Sequence, residues 1–191
     1  MNDYEETKKN YDKGVEWHIQ KSFSYNWSNQ IDRFVSGLKG KRVLDAGCGN
    51  GRDIAEFIKR GLQVDGVDYS TKTIKKCKKQ FPGATFYEGD IRNMDLPDSE
   101  YDGLWACASL PHIKKEDVPV VLAEFKRVLK QNAELFISVK EGEGERMIGD
   151  QAGKRIWSFY STSELKGFVE KNGFKATYTE IVPDAYLTGK I

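Results

Sequence analysis

Arg42-Val43-Leu44-Asp45-Ala46-Gly47-Cys48-Gly49-Asn50-Gly51 is the stretch that decides the fold of this chain. Its first residues form a short apolar strand, and the next six carry three glycines in five positions. Ile54, Ala55, Phe57 and Ile58 then fall at helical spacing up to a stop at Gly61. Glycine between a strand and a helix permits positive φ and close approach of the backbone to a ligand.

The alternation continues outward. Ile31, Phe34, Val35 and Leu38 mark a helix before Gly40, and residues 4–28 read as one or two loose helices over the main domain. Downstream, residues 62–67 form a strand ending in Asp68, and Ser70 caps a helix through Gln80 whose lysines make a solvated face. Strands follow at 84–87, 101–108 and 134–139, with a periodic helix at 118–129. A helix at 161–172 closes on Gly173, and residues 174–182 and 186–188 read as a terminal strand pair. Seven strands alternating with helices predict a single α/β domain over 1–191, with a mostly parallel sheet covered by helices on both faces. Residues 1–30 are read as a lid or cap and 31–191 as the core. Ligands of such sheets bind beyond the carboxyl ends of the strands.

Bulk properties narrow the partners. The chain has 191 residues, with 30 basic against 29 acidic ones, so no global field draws it to nucleic acid or an anionic membrane. The sequence reads as having no secretory leader and no spanning helix, and the cytoplasm is the expected address. Three cysteines without CxxC spacing, and only His18 and His112 as histidines, support neither a disulfide framework nor a metal site. Oligomeric state stays open.

Three details identify what the glycine turn fits. The dinucleotide fingerprint needs a glycine where this chain has Arg52. The strand ends in Asp45, which repels a pyrophosphate but accepts from an ammonium group. No Gly-Lys-Ser/Thr follows the loop, which disfavours a nucleoside triphosphate. S-adenosylmethionine has an α-amino group, a sulfonium and no phosphate, and it fits best.

The stretch 43–51 closely resembles the first motif of class I (Rossmann-like) S-adenosylmethionine-dependent methyltransferases, and the likeness extends over roughly residues 31–182. Val67-Asp68-Tyr69-Ser70 resembles the second motif, Glu88-Gly89-Asp90-Ile91 the third, and Tyr101-Asp102-Gly103-Leu104-Trp105 the fourth. Tyr160 to Leu165, with Asn172-Gly173-Phe174, is similar to the late helix of small-molecule members. The family's Pro-Gly-Gly after Val-Leu-Lys is replaced by Gln131-Asn132-Ala133, at a turn remote from the strand ends. The resemblance implies a seven-stranded sheet with an antiparallel last strand. It implies S-adenosylmethionine as cofactor, S-adenosylhomocysteine as product, and cofactor contacts from Asp45, Ala46, Gly47, Gly49, Asp68, Tyr69, Asp90, Ile91 and Ala106. Asp68 lies where a carboxylate binds two ribose hydroxyls, Asp90 and Ile91 belong against the adenine, and Tyr69 either packs on the adenine or simply fills space.

The catalyst is less legible, because methyl transfer mainly requires donor and nucleophile to be held close and shielded. His112, after the fourth strand, is the candidate general base; the competing reading, a histidine that starts a helix or orders a loop, weighs slightly more. Cys107 reads as core packing, since no Pro-Cys pair is present. The Asn/Asp-Pro-Pro-Tyr pattern of enzymes acting on planar amide or adenine nitrogens is also missing. Residues 140–146 read as a solvated loop with glycine hinges. Arg155, Trp157, Phe159 and Tyr160, with Tyr11, Trp17 and Trp27, are candidates for the walls of an acceptor pocket. The leading function is methyl transfer to a small molecule. The alternatives are a tRNA or protein methyltransferase, which near-neutral charge disfavours for nucleic acid, and a non-catalytic cofactor-binding domain.

Overall fold

A computed structural model of the chain describes residues 2–22 and 26–182. The main sheet contains β1 (Arg42–Ala46), β2 (Gln63–Asp68), β3 (Thr85–Glu88), β4 (Tyr101–Cys107) and β5 (Leu129–Ser138). All pairings are parallel, in the order β3-β2-β1-β4-β5. The chain winds outward from β1 to β3 and then returns to the other side of β1 for β4. This reversal opens a crevice at the carboxyl ends of β1 and β4, the topological switch point of such sheets.

Period-two alternation sorts the strand residues between two cores. Val43 and Trp105 face Ile31 and Phe34 of α3 (Ser28–Gly37) and Ile54 and Phe57 of α4 (Arg52–Lys59). Ile74 and Cys77 of α5 (Thr71–Gln80) complete that side. Leu44, Ala46, Leu104 and Ala106 face Val121, Leu122 and Phe125 of α6 (Val118–Val128), with α7 (Thr162–Lys171) packed alongside. Trp105 is fully buried, stacks on Phe136 at 3.7 Å between ring centroids, and donates its indole N–H to Asp53 Oδ2 at 2.8 Å. That bond satisfies the one polar atom of the ring.

The sheet corrects the expectation of seven strands with an antiparallel last one. The main sheet has five strands among the described residues, all parallel, and residues 174–182 form no strand. The segment runs past α3 instead, where Gln30 donates to Glu180 at 2.9 Å and the Arg33 guanidinium lies 3.8 Å from the Tyr178 ring centroid. Its expected hairpin partner, 186–188, lies outside the described residues. The strand read as 134–139 begins earlier, at Leu129. Gln131-Asn132-Ala133 is therefore no turn between elements; it is an irregularity within β5, with Asn132 at φ 57°. Asparagine tolerates this left-handed conformation better than most residues.

Residues 140–146, read as a loop, and residues 147–160, assigned no element, build a second, three-stranded sheet from β6 (Lys140–Glu141), β7 (Glu145–Asp150) and β8 (Gly153–Tyr160), in the order β6-β8-β7. The signal was present in Ile156-Trp157-Ser158-Phe159-Tyr160, a β-branched and aromatic run preceded by a tight turn at 150–153. α1 (Asp3–Lys13) opens with a capping box between Asn2 and Glu5, and α2 (Val15–Ser22) follows. α1 is not loose: Ile156 N–H donates to Thr7 Oγ1 at 3.0 Å, and Lys114 N–H donates to Tyr4 Oη at 3.0 Å. Helix and hairpin together roof the strand ends.

Candidate active site

The glycine turn is held by the strand beside it. Gly47 and Cys48 donate their N–H groups to Val67 O at 2.8 and 3.0 Å, so the loop curls over the end of β2. Gly47 has φ 81°, and a Cβ there would overlap Ser109. Gly49 has φ 51°, and a Cβ on it would meet open space. The loop is thus tight on its core side at Gly47 and unobstructed at Gly49.

Asp68, at the end of β2, accepts from Gly49 N–H at 2.9 Å and from Ser70 N–H at 2.8 Å. One carboxylate therefore fixes the glycine loop and the start of α5 together. A carboxylate has about four lone-pair positions, so it retains capacity for ribose hydroxyls. Burial raises its pKa, while the two N–H donors pull it down.

Asp45 is 2% exposed at the end of β1. Burial raises its pKa well above the ordinary range; the negative charge of Asp53 adds to this, and Arg52 opposes it. Arg52 is bound bidentately to Asp53, at 2.6 Å for both contacts, and reaches Cys107 Sγ at 3.3 Å. The position that argues against a dinucleotide thus carries a cation locked to its neighbour. Burial pushes the Cys107 thiol up to about 12, so it remains a protonated, poorly nucleophilic group.

The other expected cofactor residues divide. Tyr69, Asp90 and Ile91 line the same cleft as Asp45, Gly47, Gly49 and Asp68, which has a volume of about 1180 Å³. Lys8 Nζ stands 4.8 Å from the Tyr69 ring centroid. The Asp90 carboxylate is engaged by Arg92 in a bidentate pair, at 3.0 and 2.6 Å, which leaves its loop well ordered but its oxygens already occupied. Ala46 and Ala106 are fully buried in the core on the α6 side, because strand alternation turns them away from the cleft. Ala108, at φ 58°, and Ser109 stand at the cleft wall in their place.

The roof was only partly legible. Tyr11, Trp17, Trp27, Arg155, Trp157, Phe159 and Tyr160 all line the cleft. Sequence reasoning missed Asn10, His18, Asp12 and Asp150. Asn10 bridges His18 Nε2 and Asp150 Oδ1, both at 2.9 Å. Asp12 accepts from Ser70 Oγ at 2.6 Å and so ties the roof to the end of β2. Asn10 and Asp12 sit on α1, His18 on α2 and Asp150 at the end of β7, none of them in a motif, and only packing reveals their partners. His112 Nδ1 lies 2.7 Å from Ile156 O, which fixes that nitrogen as the protonated one and leaves the Nε2 lone pair available. Burial and the nearby Arg155 charge push its pKa down to about 3.

A cleft with two acidic groups, the buried Asp45 and the half-buried Asp68, and open space beside Gly49 fits a cationic amino acid joined to a nucleoside. Raised carboxyl pKa values mean that the ligand-free protein loses stability as pH rises through them, and that a cation requiring both groups ionised releases protons on binding. Affinity for S-adenosylmethionine is therefore expected to rise with pH above the ordinary carboxylate range. Titration calorimetry at several pH values checks this. Asp45→Asn should flatten the dependence, and a pH-independent wild-type affinity would contradict it.

A family pattern described as a methyltransferase domain matches residues 43–132. The chain is 26% identical over 168 residues to O-methyltransferase rstn1 of Aspergillus nomiae, a match covering 81% of this chain and 73% of that protein. It is 28% identical over 138 residues to demethylmenaquinone methyltransferase of Thermotoga maritima, covering 70% of this chain and 57% of the relative. The crystal structure of Burkholderia thailandensis 1,6-didemethyltoxoflavin-N1-methyltransferase, with its bound substrate and S-adenosylhomocysteine, superposes with a TM-score of 0.67 at 22% identity. That match covers 85% of this chain and 72% of the other, and it establishes the fold. The domain match, the order of the strands and the acidic glycine cleft agree: residues 43–132 carry a methyltransferase domain, and the chain has the fold of the S-adenosylmethionine-dependent methyltransferases.

Proposed function

We propose that this chain transfers a methyl group from S-adenosylmethionine to a small-molecule acceptor held under the roof of α1, α2 and the β7–β8 hairpin. The observation that carries the reading is the continuity of the cleft, which joins the glycine loop and Asp68 to the aromatic wall of Tyr11, His112 and Trp157. The roof packs against the strand ends and leaves an enclosed space suited to a compact acceptor. Residues 1–30 serve as the lid, the near-balanced charge favours a small molecule over nucleic acid, and the cytoplasm is the proposed compartment.

In this reading the cofactor's ribose is held by Asp68 and its ammonium by Asp45, directly or through water. Ile91 and Tyr69 flank the adenine, with Asp90 fixing their loop through Arg92. When bound, S-adenosylmethionine supplies an activated methyl group on a sulfonium. The protein's part is to align the acceptor, exclude water and accept its hydrogen bond. His112 suits the last of these roles, because it is neutral, its tautomer is fixed, and Nε2 can accept from an acceptor O–H or N–H. A pKa near 3 makes it a weak base, so it holds the nucleophile more than it deprotonates it.

The test follows transfer of labelled methyl from S-adenosylmethionine to a panel of phenols, carboxylic acids, amines and thiols. His112→Ala is expected to lower turnover by about tenfold with cofactor affinity unchanged. Because the imidazole is already neutral, His112 should add no titration to the rate between about pH 5 and about pH 8. Unaltered turnover in the variant removes His112 from the mechanism. Salt-sensitive tRNA binding together with tRNA methylation would overturn the small-molecule reading.

A further inference from the structure

Arg155 on β8 is 7% exposed, yet its guanidinium is incompletely satisfied. Nη1 donates to Tyr11 Oη at 2.9 Å. Nη2 stands 3.4 Å from Asp150 Oδ2, long for a charged hydrogen bond. Nε is buried and has no hydrogen-bond partner among the described residues. The Asp150 carboxylate is itself committed through Oδ1 to Asn10 Nδ2 and to Ala152 N–H, at 2.9 and 2.8 Å. It is thereby anchored away from a closer approach to Arg155. Leaving a charged donor buried without a partner is costly, and proteins keep such arrangements where a ligand completes them.

The location selects which ligand. Alternation along β8 puts Arg155 on the same face as Trp157 and Phe159, and its guanidinium lies 5.3 Å from the Tyr11 ring centroid and 5.0 Å from that of Trp157. Its charge acts on His112, whereas the charges that act most on Asp68 are those of Asp12 and Lys8. Arg155 therefore stands with His112, Tyr11 and Trp157 on the aromatic wall of the cleft. Tyr11 accepts the Nη1 hydrogen and holds that edge of the guanidinium, so the opposite edge, which carries Nε, is the one left without a full partner.

Resting on the methyl-transfer reading, we propose that the acceptor is a flat, ring-bearing molecule with an oxyanion, and that Arg155, held in place by Tyr11, binds this oxyanion against the aromatic wall. The guanidinium selects for negative charge on the acceptor, and the Asp150 carboxylate limits how tightly that charge is held. Carboxylates and phosphates share the required chemistry.

Calorimetry on protein saturated with S-adenosylhomocysteine tests this with benzoate, phenyl phosphate and the uncharged benzamide. Benzoate or phenyl phosphate is expected to bind about tenfold or more tightly than benzamide, and the stronger of the two identifies the oxyanion. Arg155→Met should abolish the preference for anions while S-adenosylhomocysteine affinity stays within about twofold. Asp150→Asn keeps the Oδ1 acceptor but removes the opposing charge, so it should strengthen anion binding; this opposite sign cannot come from loss of folding. Equal binding of benzamide, or an anion preference that survives Arg155→Met, overturns the inference. So does a loss confined to S-adenosylhomocysteine affinity, which would assign Arg155 to the cofactor's own carboxylate. If wild-type protein fails to bind S-adenosylhomocysteine, the methyl-transfer reading falls first and takes this inference with it.

Discussion

Gly47→Ala is expected to weaken S-adenosylhomocysteine binding by about 30-fold or more while the sheet stays folded. Two costs combine at this position. Alanine at φ 81° enters the left-handed region at a penalty of about 1–2 kcal/mol. The new Cβ also falls on Ser109, whose Oγ it would overlap and whose Cβ it would approach to 2.8 Å. Ser109 cannot easily yield, because it is 9% exposed and its hydroxyl donates to Ala46 O. Overpacking of this kind costs about 1–3 kcal/mol. The loop can escape by peeling away from Val67 O, and that movement carries the Gly49 backbone out of position. Because the loop lies beyond the strand ends, the damage should appear in cofactor affinity more than in global stability. Calorimetry checks the affinity, and Gly47→Ala combined with Ser109→Gly should recover part of it. Full affinity in the single variant would mean that the loop does not form the cofactor cradle.

The second large effect is expected from Asp68→Ala, a loss of about 1–3 kcal/mol, or about 5- to 150-fold, in affinity for S-adenosylhomocysteine. The carboxylate acts in two directions. Toward the protein it accepts from Gly49 and Ser70 N–H; toward the ligand it is placed to accept from the ribose hydroxyls. A double cycle divides the two: S-adenosylhomocysteine with a 2′-deoxyribose removes one ligand donor without touching the loop. If Asp68 binds the sugar, the deoxy ligand should lose less in the variant than in the wild type. Equal losses in both proteins would leave Asp68 as a loop-fixing residue only, and unchanged affinity for the intact ligand would remove it from the site.

How far the sequence reached can be seen at particular residues. The helix expected at 118–129 is Val118–Val128, and that expected at 161–172 is Thr162–Lys171. Long periodic segments with clear caps specify themselves locally. Asp45, Gly47, Gly49 and Asp68 were legible because a strand end followed by glycines has few physical solutions. Ala106 was misplaced as a contact because its role depends on strand parity at the cleft, a matter of which face β4 presents. The hairpin at 145–160 was missed because the glycines and charges of 140–146 suggested a loop and 147–160 was assigned no element, whereas pairing with a partner strand and packing beneath α1 made it a sheet. The strand expected at 174–182 fails for the converse reason: among the described residues it has no partner strand to take its backbone hydrogen bonds.

By itself, the sequence determined the alternating α/β architecture, the cofactor class and the acidic residues at the ends of β1 and β2. Hydrophobic period and turn chemistry act over a few residues and can be read one segment at a time. Only the tertiary structure decided that α1 and the hairpin close over the cleft, that His112 is held neutral against Ile156 O, and that Arg155 is buried with an unpaired N–H beside Tyr11. Those properties arise from contacts between residues as many as 149 positions apart, such as Thr7 and Ile156, and burial has no value until the chain has folded around the group.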